Sequence, residues 1–327
     1  MISIINNSRD PYYNLALEEY VITEMPDGED YFILWQNEPT IVVGRNQNTI
    51  EEINLAFVER RGIKVVRRMS GGGAVYHDHG NLNYTFVVQE EGRFHKFDVF
   101  TSYLIETLGK LGIQAENSGR NDITINGRKF SGNAQFKRGK RLLHHGTILF
   151  NSSLDVMVEA LNVSPEKIIS KGIKSVKSRV TNIKEHLSRP LDICEFKDLL
   201  YETVFAANSE SSTYYLSDTD HKAISELRNS KYATWDWVFG SSPPFTIQKR
   251  GSFDWGNIDI RLSVNQGLIT ECKIYGDFFA AQDIEELEKI FVGLAYRRDI
   301  FDKNITSEII RAYWPSADVG EIIQLLF

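Results

Sequence analysis

The sequence predicts an α+β fold, and three observations carry that reading. Helical and β-rich segments alternate irregularly instead of in a repeating strand–helix–strand order. An Asn126-Gly127 pair flanked by Ile-Thr-Ile and Arg-Lys-Phe is a strong hairpin signal. A Gly/Ser/Pro cluster, GSSPPF at 240–245, follows the aromatic run TWDWVF and divides the chain. The expected organisation is a large domain over 1–240, a linker at 241–245 and a small C-terminal domain over 246–327.

Taken in order, residues 11–24 place Leu15, Leu17, Val21 and Ile22 among acids and predict an amphipathic helix. YFILWQN (31–37) and TIVVGRN (40–46) are β-rich runs separated by Glu38-Pro39. A helix is expected around 51–61, then the strand KVVRR, and a further strand at 83–89. Residues 97–112 look helical with Gly112 as a stop. The hairpin at 121–136, a strand at 144–150 and a helix at 153–162 complete the large domain, with its strands expected to be antiparallel. Beyond the linker, 253–278 reads as a small antiparallel sheet turning at Asn265-Gln266-Gly267, and helices follow at about 283–295 and 305–313. There is no internal repeat and no low-complexity tract.

The densest chemical information lies in VRRMSGGGAVYHDHGNLNYTF, residues 66–86. Glycine weakens a strand, so Gly71, Gly72 and Gly73 together predict a close approach to the backbone. Arg67 and Arg68 just ahead favour an anionic ligand such as a phosphate. The segment lacks the Lys-Ser/Thr ending of a P-loop and the G-x-G-x-x-G turn of a dinucleotide fold. A nucleotide site here is of another kind.

Composition sets the remaining bounds. With 42% hydrophobic and 25% charged residues, the 327-residue chain is ordinary for a globular protein large enough for two domains. No apolar run is long enough to span a bilayer, and the N-terminus lacks the pattern of a secretion signal, so a cytoplasmic enzyme without a membrane partner is expected. Cys194 and Cys272 have no metal-ligand spacing and form no disulfide framework. A net charge of −7 argues against nucleic-acid binding. Residues 128–179, however, hold eleven Lys/Arg against three acids, an asymmetry that suits an anionic ligand or an acidic partner, or simply a solvated basic face.

Read alone, Lys129 is an ordinary surface lysine; as part of a hairpin, Arg128 and Lys129 point to opposite faces, so one of them can enter a site. His144 and His145 likewise face opposite ways and do not chelate one ion, and a satisfied, partly buried ring is the default for each histidine. A metal held by protein side chains alone is not expected. A Mg²⁺ ion arriving with nucleotide phosphates is, with Asp122 as its protein ligand. No Ser/His/Asp elbow is visible, and neither cysteine has a histidine nearby in sequence.

Arg67-Arg68-Met69-Ser70-Gly71-Gly72-Gly73-Ala74-Val75-Tyr76-His77-Asp78, with Gly80-Asn81 after it, resembles the signature of lipoate–protein ligases. Gly119-Arg120-Asn121-Asp122, Arg128-Lys129-Phe130-Ser131-Gly132 and His144-His145-Gly146-Thr147 agree with that family in order and spacing, as does the stretch from Lys171 to Asn182. Trp235-Asp236-Trp237 and Phe253-Asp254-Trp255-Gly256 resemble its accessory domain. The likeness covers essentially the whole chain. It implies the biotin/lipoate ligase fold: a mixed sheet with flanking helices, plus a small α+β C-terminal domain.

The resemblance also implies a two-step reaction. Lipoate and ATP, with Mg²⁺, give lipoyl-AMP and pyrophosphate. The lipoyl group then passes to a lysine of a carrier, either an apo lipoyl domain of a 2-oxoacid dehydrogenase complex or a glycine-cleavage H protein. Lys129 would be the catalytic lysine, meeting the carboxyl/phosphate junction in both steps. Arg68, Ser70, Gly71, Gly72, Gly73, Ala74, Val75, Tyr76, Asn121, Asp122, His145, Lys171 and Gly172 would bind ATP or the adenylate. Trp35 and His77 would wall the lipoate pocket. The competing expectations are a lipoyl or octanoyl transferase using a pre-activated donor, and a non-catalytic lipoyl-AMP-binding protein.

Overall fold

A computed structural model describes residues 1–161, 179–208, 211–239, 247–265, 268–296 and 298–327. Its centre is an eight-stranded sheet in the order β11-β1-β2-β6-β10-β9-β8-β7. The middle strands are β2 (Tyr31–Trp35), β6 (Asn81–Gln89), β10 (Arg141–Leu149) and β9 (Arg128–Arg138). They continue into β8 (Asp122–Ile125) and β7 (Glu116–Ser118) at one side. The hairpin between β8 and β9 turns on Asn126 and Gly127, both with positive φ, the backbone that favours Asn-Gly at such a turn.

The other side departs from the antiparallel pairing that the pattern predicts and agrees with the mixed sheet that the resemblance implies. β1 (Ile2–Ile5) runs parallel to both β2 and β11 (Ser212–Tyr215), and in a second sheet β3 (Thr40–Val43) runs parallel to β4 (Lys64–Arg67). The helix α1 (Pro11–Thr23) between β1 and β2 gives the chain the crossover that a parallel pair needs. β5 (Val75–His77) completes the order β4-β3-β5.

One face of the large sheet presents Phe32, Leu34, Phe86 and Leu142 to the helix Asp98–Lys110 and to the helix Ile193–Ala206. The other presents Tyr31, Ile33, Trp35, Val87 and Leu143 to α1. Asp10 caps α1 by accepting from the Tyr12 amide, with Pro11 at the first helical position, where its missing N–H costs nothing. This helix is not amphipathic in the sense the sequence suggests. Glu18 and Glu19, acids that an amphipathic helix would turn to solvent, are both buried, so α1 lies inside the molecule and needs partners for its carboxylates.

Residues 247–327 form a separate core. The sheet β12 (Ile247–Phe253), β13 (Gly256–Asn265) and β14 (Leu268–Gly276) packs Ile260, Leu262 and Ile274 against Phe291, Phe301 and Trp314 of the following helices. The expected turn residues Gln266 and Gly267, and the linker 241–245, lie outside the described residues. This unit leans on the glycine-rich segment. The Gly72 amide donates to the Phe278 carbonyl at 3.1 Å, and a side chain at position 71 would strike that same carbonyl. Among the described residues no helix is long and apolar enough to cross a membrane.

Candidate active site

Strand register brings the candidate residues together. Trp35 on β2 faces Asn83 on β6, Asn83 faces Thr147 on β10, Thr147 faces Gly132 on β9, and Gly132 faces Asp122 on β8. Paired residues in an antiparallel ladder project from one face, so these form a row across five strands. Two residues along, Thr85, His145 and Ala134 form a second row on that face. Above them lies a cavity of about 100 Å³, closed from the other side by Leu15 of α1, Val42 and the glycine-rich segment.

At one end of the first row stands Lys129. Gly132 has no side chain, and the lysine Nζ lies 2.9 Å from where its Cβ would be, so it rests against the bare backbone. Nζ is 2.7 Å from Asp122 Oδ1, with both side chains about a third exposed. The backbone of Lys129 is held on both sides by the chain that returns after residue 178: its N–H donates to the Arg179 carbonyl at 2.7 Å, and its carbonyl accepts from the Thr181 amide at 2.9 Å. Arg128 points away, toward Glu185 at 3.3 Å.

At the other end the wall is Trp35, with His77 edge-on to it at 6.1 Å between ring centroids. Burial and the neighbouring Arg68 guanidinium push His77 down to about 3, so it is neutral. Its Nδ1 meets the Asn37 side-chain amide at 3.1 Å, while its Nε2 is buried without a partner among the described residues.

A continuous hydrogen-bond chain runs through the middle. The Trp35 indole donates to Thr85 Oγ1 (2.9 Å), whose hydroxyl donates to Glu18 (2.6 Å). Glu18 meets His145 Nδ1 at 2.9 Å, and His145 Nε2 is 2.6 Å from Ser70 Oγ. An ionised carboxylate is acceptor-only, so Nδ1 carries a proton and the ring is held in one orientation. The Arg68 guanidinium, pulled down to about 10 by burial and still charged, donates from Nε to Ser70 Oγ at 3.0 Å. Its other donors go to the carbonyls of Val42, Gly71 and Gly73, so Arg68 shapes the glycine loop from within.

The sequence grouped Arg67 with Arg68, and the structure separates them. On a strand the two alternate, and Arg67 turns to the far side. There its donors serve the carbonyls of Gly44, Arg45, Gln47, Trp237 and Val238, and the Thr49 hydroxyl. It ties two loops together. The close approach implied by three glycines also has an internal cause: Gly71 is pressed by Phe278 and Gly72 by Phe279, leaving Gly73 the most open.

Arg68, Gly72, Gly73, Ala74, Val75, His77, Asn121, Lys129, His145 and Trp35 line the cavity. Ser70 reaches it through His145, and Asp122 through Lys129. Gly71 sits behind the lining, against Phe278, and the Tyr76 side chain turns into the core of the small sheet with Ile41 and Val43. Lys171 and Gly172 lie outside the described residues. Sequence reasoning missed Glu18, Asn83, Thr85, Asn133 and Thr147. None sits in a run of unusual composition; pairing alone brings them in. His144 faces the opposite side, stacked on Phe100 at 4.4 Å and held well below its ordinary pKa by burial. Cys194 is exposed, Cys272 is buried in the C-terminal unit, and neither lines the cavity.

Residues 10–205 match the family described as the lipoyl protein ligase A/B catalytic domain, and residues 242–326 match the bacterial lipoate protein ligase C-terminus. The chain is 44% identical to lipoate–protein ligase 1 of Staphylococcus aureus over 98% of both chains. It is 43% identical to the lipoate-protein ligase LplJ of Bacillus subtilis, again over 98% of both. Among solved structures, the fold is similar to that of P. falciparum LipL1 in complex with lipoate (TM-score 0.81, 23% identity, 99% of this chain and 98% of that one). It is also similar to a structure from the structural analysis of an archaeal lipoylation system, a bi-partite lipoate protein ligase and its E2 lipoyl domain from Thermoplasma acidophilum (TM-score 0.67, 25% identity, 75% of this chain and 98% of that one).

Proposed function

This chain belongs to the lipoate–protein ligase family and is a lipoate–protein ligase, and from that premise we propose how its residues divide the work. The enzyme activates lipoate with ATP to lipoyl-AMP, releasing pyrophosphate, and passes the lipoyl group to a lysine of a carrier protein. The carriers we propose are apo lipoyl domains of 2-oxoacid dehydrogenase complexes and glycine-cleavage H protein. Residues 1–240 would be the catalytic domain and 246–327 the accessory domain, joined at 241–245.

The observation that carries the reading is the position of Lys129: a cation at one end of a trough whose far end is Trp35, with Leu15, Val42, Ala74, Val75 and Ala134 among its walls. An acid with a hydrocarbon tail fits that polarity, with its carboxylate at the lysine and its chain along the row. Attack by the carboxylate on the α-phosphate brings two anions together, so a fixed ammonium at the junction lowers the barrier. In the second step a carrier ε-amine attacks the acyl carbon and AMP departs. Lys129 then faces the charge that develops on the carbonyl and on the leaving phosphate.

Ser70 and the backbone from Gly71 to Tyr76, splinted by Arg68, would meet the phosphates, with Asn121, His145, Lys171 and Gly172 completing the adenylate site. The Gly72 amide serves Phe278 in this conformation, so its use by a phosphate requires the Phe278 segment to give way. Trp35 and His77 would hold the acyl tail.

Among the described residues no three His, Cys, Asp or Glu side chains are grouped so that they could hold a metal ion. One carboxylate, Asp122, beside the cavity fits a Mg²⁺ that keeps water and phosphate oxygens for the rest of its shell. Bound with the nucleotide, Mg²⁺ would neutralise phosphate charge. A thiol-relay transferase has no support here, because neither cysteine lines the cavity.

The direct test is the intact mass of an apo lipoyl domain incubated with the protein and lipoate, with and without Mg-ATP. A lipoyl mass gain that requires ATP is the expected result. A gain only from supplied lipoyl-AMP would mean a transferase without activation, and no gain in either case would leave a binding protein.

A further inference from the structure

One buried polar atom at the far end of the trough has no use in the steps above: His77 Nε2. Whether it donates or accepts follows from a chain of four amide groups anchored on backbone. The Ser8 amide, which can only donate, fixes Asn6 Oδ1 as its acceptor at 3.0 Å. Asn6 Nδ2 therefore donates to Asn14 Oδ1 at 2.9 Å. Asn14 Nδ2 donates to the Gln36 carbonyl, a backbone acceptor, and to Asn37 Oδ1, both at 2.9 Å. That leaves Asn37 Nδ2 to donate to His77 Nδ1 at 3.1 Å. The imidazole is neutral, so its single proton sits on Nε2.

The atom is thus an N–H donor in a ring only 2% exposed, lining the cavity beside Trp35. A second donor, Asn83 Nδ2, is also unpartnered among the described residues and lies next to Trp35 in the strand row. A saturated hydrocarbon tail leaves both unanswered, the costly way to bury a donor.

The row also measures the substrate. Gly132, where the Lys129 ammonium rests, is three strand spacings from Trp35, or about 14 Å across the sheet. With its carboxyl at Lys129, an extended eight-carbon acid ends at the Trp35–His77 wall. In lipoate that end carries the dithiolane. Its sulfurs are weak acceptors and also pack favourably against an aromatic edge.

We propose that His77 is a specificity-determining residue, its Nε2–H donating to a dithiolane sulfur so that the enzyme selects lipoate over octanoate. This rests on the lipoate–ligase reading. The expected preference is about tenfold in kcat/KM, the size of one weak hydrogen bond added to one sulfur–aromatic contact.

The test measures kcat/KM for lipoate and octanoate with Mg-ATP and an apo lipoyl domain, in the unmutated protein and in His77→Leu. The lipoate/octanoate ratio should fall toward one in His77→Leu. A ratio near one in the unmutated protein, or the same ratio in both proteins, overturns the proposal. Because His77→Leu could misfold, the unmutated enzyme labelled with ¹⁵N-histidine gives an independent reading. His77 should show the Nε2–H tautomer, with that resonance moving on addition of lipoate and not of octanoate. The Nδ1–H tautomer, or identical shifts with both acids, refutes it. If the unmutated protein turns over neither acid, the ligase reading itself fails and takes the proposal with it.

Discussion

Glu18 and His145 meet at 2.9 Å in the buried seam between α1 and β10, and the imidazole they orient reaches Ser70 on its other side. Glu18 is 2% exposed and is also bonded by Thr85. It acts on the site through His145, as a positioning residue. Glu18→Ala should lower kcat/KM for adenylate formation by about tenfold to a hundredfold, the loss expected when a charged hydrogen bond is removed. Glu18→Gln keeps an oxygen that accepts from Nδ1–H and should recover much of that loss. Equal losses in both variants, measured as pyrophosphate release, would show that the position matters only for packing.

Lys129 and Asp122 make a complementary prediction. Lys129→Ala should abolish both pyrophosphate release and lipoyl transfer, with a fall of at least about a thousandfold. Its side chain is 38% exposed, so the melting temperature should barely move. Asp122→Asn keeps a hydrogen-bond acceptor 2.7 Å from Nζ and should cost less. A Lys129→Ala enzyme with full turnover would remove the lysine from the chemistry.

What the sequence made legible follows from locality. Runs such as Ser70-Gly71-Gly72-Gly73 and Arg128-Lys129 are contiguous, and Asn126-Gly127 determines its own backbone, so both the loop and the hairpin could be read directly. Glu18 could not. Its spacing with Leu15 and Val21 is that of any surface helix, and only the helix's burial between two sheets turns its acids inward. Asn83, Thr85 and Thr147 enter through strand register, which periodicity does not specify across partners far apart in sequence. The parallel pairings of β1 with β2 and β11 were missed for the same reason. Two four-residue strands at that end of the sheet carry too little pattern to reveal their direction.

Trp35 combines a wall with a tether. Replacing it by Leu should widen the acyl end of the trough and admit bulkier carboxylic acids. The same change removes the indole N–H that holds Thr85, so lipoate turnover should fall as well. The side chain is 4% exposed, and truncation should cost about 3 kcal/mol of stability. Competition among acids of graded bulk, read by carrier mass, tests this; an unchanged substrate profile would return Trp35 to the core.

The accessory unit offers a contact to break. Arg120 lies over the Phe279 ring at 4.7 Å and donates to the carbonyls of Trp255 and Asp277. Arg120→Ala should loosen the Phe278–Phe279 segment from the glycine loop. Amide exchange at Gly72, protected here by the Phe278 carbonyl, should accelerate about tenfold or more. Unchanged protection at Gly72 would mean that the segment is held without Arg120.

Two buried histidines predict the acid limb of stability. Burial holds His77 at about 3 and His144 well below its ordinary value, so both are neutral in the folded enzyme. In the unfolded chain each takes a proton near pH 6.5. The unfolded state therefore binds more protons below that pH, and stability falls as pH drops from 6.5 toward 3, with nothing lost above 6.5. Each histidine contributes a slope of about 1.4 kcal/mol per pH unit, or about 2 kcal/mol by pH 5. His144→Phe keeps a ring stacked against Phe100 and removes one of the two titrating groups, so the fall in stability between pH 7 and pH 5 should shrink by about 2 kcal/mol. Urea unfolding at the two pH values measures it. An undiminished fall in the variant would mean that His144 carries a proton in the folded protein, contrary to its burial.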